Sequence, residues 1–262
     1  MLTMYLLFVI VFMIFLVIFK RRLGPTHTKV VVPRVVHKIY IQHDNTFGVI
    51  PSEIKDAHAS WVRLNPGYEI KYYNGKDCEN YLLKHFGPKY LRLYKKINAY
   101  AGKCDFMRAC IVYNEGGWYS DWKQVCLKPI DELGSFEWVS AYDCPYLKDK
   151  YKRTFMSNAF FGAVPKHPIA KRFVDNLAKN VETEQYGDMP LDTTGPGCFG
   201  KSFDEMKPNT SNMLIGQYNP DFIYRFMGHP WVQHKCDKCS KDQNWEHGNN
   251  YHVLWNNRTF YS

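Results

Sequence analysis

The residues best suited to chemistry lie in one short stretch, 103–124, which reads Lys-Cys-Asp-Phe-Met-Arg-Ala-Cys-Ile-Val-Tyr-Asn-Glu-Gly-Gly-Trp-Tyr-Ser-Asp-Trp-Lys-Gln. Asp105 and Arg108 stand three apart, the spacing that puts two side chains on one face of a helix. Asp121 follows Trp118-Tyr119-Ser120, which reads as a short buried strand. A helix carrying a carboxylate and a guanidinium, aimed into a strand that ends on a second carboxylate, builds a site at a sheet edge. Lys123 adds an ammonium beside it. The plainer readings are a helix-surface ion pair worth under about 1 kcal/mol and a turn-forming Asp121.

The neighbouring pattern supplies the elements that position these groups. Phe106, Cys110 and Tyr113 recur at helical spacing. Gly116-Gly117 ends the helix, because glycine accepts the positive φ of a C-terminal cap. Upstream, the β-branched run 30–41 (Val-Val-Val-Pro-Arg-Val-Val-His-Lys-Ile-Tyr-Ile) predicts the first core strand. A helix is expected over 53–64 with Ser52 as its cap, a strand over 68–73, and helices over 77–86 and 89–97 separated by Gly87-Pro88. Further strands are expected at 136–142 and from Asn158, and helices at 169–181 and from Cys198. This alternation predicts an α/β fold with a mainly parallel sheet.

Several segments together resemble the DXD-sugar-binding glycosyltransferases, family 32-like enzymes akin to fungal Golgi α-1,6-mannosyltransferases and α-1,4-galactosyl- and N-acetylglucosaminyltransferases. The matching segments are Pro33 to Tyr40 with His37; Ser60-Trp61 with Asn65-Pro66-x-Tyr68-Glu69; Asp105-x-x-Arg108; Gly116-Gly117-x-Tyr119 with Asp121; Asn158-Ala159 with Pro165-x-His167-Pro168; and Thr194-Gly195-Pro196. The second aspartate of the DXD pattern is absent, and Lys123 stands in its place.

The resemblance implies a GT-A-type, Rossmann-like domain that moves a hexose from a nucleotide-sugar to a glycan or glycoconjugate, with retention of configuration. It makes Asp121 and Lys123 the catalytic candidates. The donor-binding candidates are His37, Tyr40, Asp105, Arg108, Gly117, Tyr119, Asn158, Thr194 and Gly195. Asp121 and His252 are the expected metal ligands, for Mn²⁺ or another divalent ion. His37 reads equally as a packed core histidine, and Asn158 as a turn residue. If 121–123 is extended, Asp121 and Lys123 face the same side. Three outcomes then stand open: Lys123 replaces part of the metal's role, a metal still binds through Asp121 and His252, or donor binding is lost. In the last case the chain is a catalytically inactive glycan-binding or assembly subunit.

The chain's composition, 45% hydrophobic and 16% aromatic over 262 residues, argues against disorder and for one domain with an appendage. Residues 1–22 read as an uncleaved transmembrane anchor, apolar to Phe19 and closed by Lys20-Arg21-Arg22; 23–29 read as a short stem, and 30–262 as the glycosyltransferase domain. The basic flank favours a cytosolic domain. Two sequons at Asn209 and Asn257, eight cysteines and the resemblance favour a lumenal domain of Golgi or ER type. The net charge of +9 is scattered, and no nucleic-acid motif is present. In the tail, Cys236-x-x-Cys239 with His229, His234, His247 and His252 offers either a zinc site or a disulfide.

Overall fold

The computed structural model describes residues 32–42, 52–143 (Glu53 in its backbone only), 145–235 and 249–262. The expected anchor and stem, and Cys236, Cys239 and His247 of the tail, lie outside the described residues. Among the described residues no helix is long and apolar enough to cross a membrane.

The chain runs β1 (Val35–Ile39), α1 (Ser52–Leu64), β2 (Glu69–Tyr73), α2 (Gly75–Lys96), α3 (Tyr100–Glu115), β3 (Gly117–Ser120) and β4 (Val125–Cys126). It continues through β5 (Trp138–Tyr142), α4 (Pro145–Tyr151), β6 (Met156–Ala163), α5 (Pro168–Glu182), α6 (Pro196–Met206), β7 (Met213–Tyr218), β8 (Ile223–Phe226), β9 (His229–Gln233) and α7 (Tyr251–Asn256). The strands form one sheet in the order β2-β1-β3-β6-β5-β7-β8-β9-β4.

The expectation of a mainly parallel sheet is corrected. β1 pairs in parallel with β2 and β3, and β5 with β7, but every other pairing is antiparallel. β6 enters between β3 and β5 against both of them. The connections from β7 to β8 and from β8 to β9 are too short for a crossover helix, so those strands can only return antiparallel. α2 is bent where the sequence suggested, at Gly87 with φ 80°.

Alternation along the strands divides the core between the two faces of the sheet. Tyr119 and Phe161 pack with Ile39 and the helices α3, α5 and α6. Val36, Trp118 and Phe160 pack on the other side with Trp61 of α1 and Trp231 of β9. α3 is buried far round its circumference, with Phe106, Met107, Ala109, Cys110, Ile111 and Val112 all inaccessible. It is therefore a central helix, and whatever polar group it carries inward is held by the core.

Candidate active site

α3 meets β3 through two glycines whose conformations no other residue adopts cheaply. Gly116 caps the helix at φ 68°, with its N–H donating to the Val112 carbonyl. Gly117 has φ 88°, and a β-carbon there would stand 2.4 Å from Val35 Cγ1 and 2.7 Å from the Val35 carbonyl oxygen. The turn thus brings β3 hard against β1 and fixes where Asp121 emerges, at the carboxyl end of both strands. A cavity of about 450 Å³ opens at that end, lined by Tyr40, Asp105, Arg108, Tyr119, Asp121 and Lys123 among others.

One network joins half of the predicted residues. The Arg108 guanidinium contacts Asp121 Oδ1 at 3.1 Å and Asp105 Oδ1 at 3.3 Å. It donates to the Asn158 carbonyl at 2.8 Å and lies 4.2 Å from the centre of the Tyr119 ring. Asp105 accepts from Asn158 Nδ2 at 2.8 Å and from Thr194 Oγ1 at 2.8 Å. The Tyr119 hydroxyl donates to Asp121 Oδ1 at 2.7 Å. Asn158 sits inside β6 rather than at a turn, and Gly195 is the residue before α6, so β3, β6, α3 and the start of α6 converge here.

The electrostatics follow from burial. Burial pushes the Asp105 carboxyl upward, and the Arg108 charge and the Thr194 hydrogen bond oppose it. Burial works against the Arg108 charge, but Asp121 and Asp105 outweigh it and hold the guanidinium protonated. Arg108 is only 5% exposed, so the pair is no surface salt bridge. Truncating one partner of such a buried pair costs about 3–5 kcal/mol.

The extended geometry expected for 121–123 is corrected. Asp121 to Gln124 form a turn closed by Gln124 N–H donating to the Asp121 carbonyl at 3.1 Å. Asp121 and Lys123 both line the cavity, but the turn and not strand alternation places them there. Behind the turn, Lys38 is fully buried, donating to Ser120 Oγ at 3.1 Å and to the Asp121 carbonyl at 3.3 Å. Burial pulls its ammonium down to about 7.

Three predicted residues do not line the cavity. His37 is buried in the core, its Nε2 2.9 Å from the Gly116 carbonyl and its Nδ1 3.2 Å from the Tyr73 hydroxyl. Burial lowers its pKa to about 4, so it is a neutral donor that braces the glycine turn. Gly117 acts through its close approach to β1. His252 is exposed on α7, while its neighbour Tyr251 reaches the cavity.

The sequence reading missed others. His234 and Lys235, just past β9, line the cavity with Tyr218, Asp143 and Ser157. His234 lies 3.3 Å from the Tyr224 hydroxyl, and burial lowers its pKa to about 4. The only signal for it was its place among the Cys and His residues of the tail. The described ones of these histidines lie apart: His234 lines the cavity while His229 and His252 are exposed. Among the described residues no three His, Cys, Asp or Glu side chains gather as a metal site, and the five described cysteines are free thiols.

Comparison with known proteins matches residues 51–140 to the glycosyltransferase sugar-binding region containing the DXD motif. An uncharacterized glycosyltransferase of Acanthamoeba polyphaga mimivirus is 31% identical over 197 residues, covering 74% of this chain and 73% of the relative. This chain belongs to the DXD-containing sugar-binding glycosyltransferases. Inositol phosphoceramide mannosyltransferase 2 of Schizosaccharomyces pombe is 25% identical, over 58% of this chain and 40% of that relative. The chain thus spans less than half of the fungal relative. The solved structure of the PaToxG glycosyltransferase superposes with a TM-score of 0.52 at 16% identity, covering 69% of this chain and 72% of that one, a likeness of fold. The protein is a glycosyltransferase with a mixed α/β fold, and its reaction is sugar transfer.

Proposed function

We propose that this glycosyltransferase moves a hexose from a nucleotide-sugar to a glycan or glycoconjugate with retention of configuration. The observation that carries the reading is the Asp105–Arg108–Asp121 network, closed by Asn158 and Thr194 along one wall of the cavity. Asp105 and Asn158 face the sugar hydroxyls, and Arg108 the sugar or the diphosphate. Tyr40, whose ring centre lies 5.4 Å from that of Trp122, offers an aromatic wall for the nucleotide. Thr194 and Gly195 lie at the amino end of α6, where free N–H groups suit oxygen-rich ligands. Tyr119 and Arg108 hold Asp121 in one orientation toward the donor. The fungal relatives are named as mannosyltransferases of inositol phosphoceramide, which supports a hexose donor and a membrane-borne glycoconjugate acceptor. With them goes a Golgi- or ER-type placement, in which residues 1–22 anchor a lumenal domain 30–262 through the stem 23–29. Both sequon asparagines, Asn209 and Asn257, are exposed.

The family implies a divalent ion, Mn²⁺, whose charge would meet the departing diphosphate. The described donor set does not fit one. Asp121 is the single carboxylate of the motif, it is already engaged by Arg108 and Tyr119, and His252 lies outside the cavity.

The test is Asp121→Asn. Transfer from UDP- and GDP-hexoses should fall at least about 100-fold, with an unchanged far-ultraviolet circular dichroism spectrum. Wild-type turnover by the variant would take Asp121 out of the site.

A further inference from the structure

The DXD motif places two carboxylates at the donor, and here the second position carries an ammonium. Exchanging Asp for Lys moves the local charge by two units, which equals the charge that a divalent ion contributes when it binds a DXD pair. The described wall of the cavity is accordingly balanced and not acidic: Asp105, Asp121 and Asp143 stand against Arg108, Lys123 and Lys235. Both Asp105 and Asp121 already contact the Arg108 guanidinium. A hard divalent ion needs an excess of anionic oxygen. A departing diphosphate needs fixed cations, and a guanidinium and an ammonium are the side chains that bind phosphate best.

The geometry points to a metal-independent transferase, in which the Lys123 ammonium meets the diphosphate in the place of the ion while Arg108 holds Asp105 and Asp121 behind it. This rests on the nucleotide-sugar reading above. In the step, the bond between C1 of the sugar and the β-phosphate oxygen breaks, and its electron pair stays with that oxygen. The acceptor hydroxyl oxygen forms the new bond to C1, and its proton passes to the diphosphate. Lys123 touches the leaving group and is a catalytic residue. It meets charge as the charge develops and needs no ion to be bound or released in each cycle.

The experiment is calorimetric titration of the full-length chain, kept in a nonionic detergent, with UDP and with GDP, each in EDTA and in Mn²⁺. The expected result is that one of them binds with a Kd that differs by less than about threefold between the two conditions. Binding that appears only with Mn²⁺ overturns metal independence and leaves the nucleotide-sugar reading standing. Failure of both nucleotides in both conditions overturns that reading and the inference with it.

Two variants locate the effect. Lys123→Met should weaken diphosphate binding in EDTA by about tenfold or more, while the bare nucleoside, uridine or guanosine, binds as before. Unchanged diphosphate binding, or an equal loss for the nucleoside, removes Lys123 from the phosphate. Lys123→Asp should lose binding in EDTA and regain it with Mn²⁺. Binding by that variant that ignores EDTA overturns the exchange of ion for ammonium. Thermal melts confirm that each variant is folded.

Discussion

Replacing Lys38 with methionine should change stability in a way that depends on pH. The side chain is wholly buried, with its Nζ 4.7 Å from the centre of the Trp61 ring and hydrogen-bonded to Ser120 and the Asp121 carbonyl. Burial lowers its pKa from the ordinary 10.5 to about 7, against the opposing pull of Asp121. The folded pKa lies below the unfolded one, so the unfolded chain binds the extra proton. Stability is therefore lost as pH falls from 10.5 to about 7, and no more is lost below that. At about 1.4 kcal/mol per unit, the loss at neutral pH is roughly 5 kcal/mol. Methionine removes this term but gives up the two hydrogen bonds of the neutral amine, at about 1 kcal/mol each. The variant should thus be about 2–3 kcal/mol more stable than wild type at pH 7 and about 1 kcal/mol less stable at pH 10. The difference between the two proteins should swing by about 4 kcal/mol over that range. Urea unfolding followed by tryptophan fluorescence at pH 7, 8.5 and 10 measures the swing. A difference that stays constant within about 1 kcal/mol would show that Lys38 remains charged in the folded protein and would refute the reasoning.

Three further outcomes are expected. Arg108→Ala should cost about 3–5 kcal/mol in denaturant unfolding, because it strands Asp105, Asp121 and the Asn158 carbonyl together; a loss under about 1 kcal/mol would return the residue to a surface pair. Gly117→Ala combines a positive φ with a clash against Val35, so it should cost about 2–5 kcal/mol, read as a lowered urea midpoint; a wild-type midpoint would count against the close approach of β3 to β1. His37 and His167 are both held neutral by burial, with pKa values lowered from 6.5 to about 4. Their contribution is complete above pH 6.5 and drains away as pH falls toward 4, by up to about 3 kcal/mol each. Lys38 is protonated in both states over that window and adds nothing to it. A melting temperature that stays level from pH 6.5 to 4.5 would contradict these burials.

The candidate site was legible where its geometry is local. The i, i+3 spacing of Asp105 and Arg108, the Gly116-Gly117 stop and the strand ending before Asp121 follow from backbone stereochemistry within a few residues, and all three stand in the structure. Asn158 and Thr194 were visible only by resemblance, since nothing local says that they close on Asp105 from 53 and 89 residues away. The turn at 121–124 was misread because the few residues past a strand end do not show whether the chain stays extended, and this turn is braced by Lys38 reaching the Asp121 carbonyl from 83 residues away.

The sequence by itself determined the elements, the Asp–Arg helix, the glycine turn and the replacement of the second motif aspartate by Lys123. Tertiary structure alone decided the rest. It buried Lys38 behind the site, brought His234 and Lys235 to the cavity, left His252 outside it, and ran β6 antiparallel through the middle of the sheet. The reason is that helix caps and spacings are set by neighbours along the chain. Strand order, and the choice of which lone histidine or lysine is enclosed, depend on which distant apolar faces pack together.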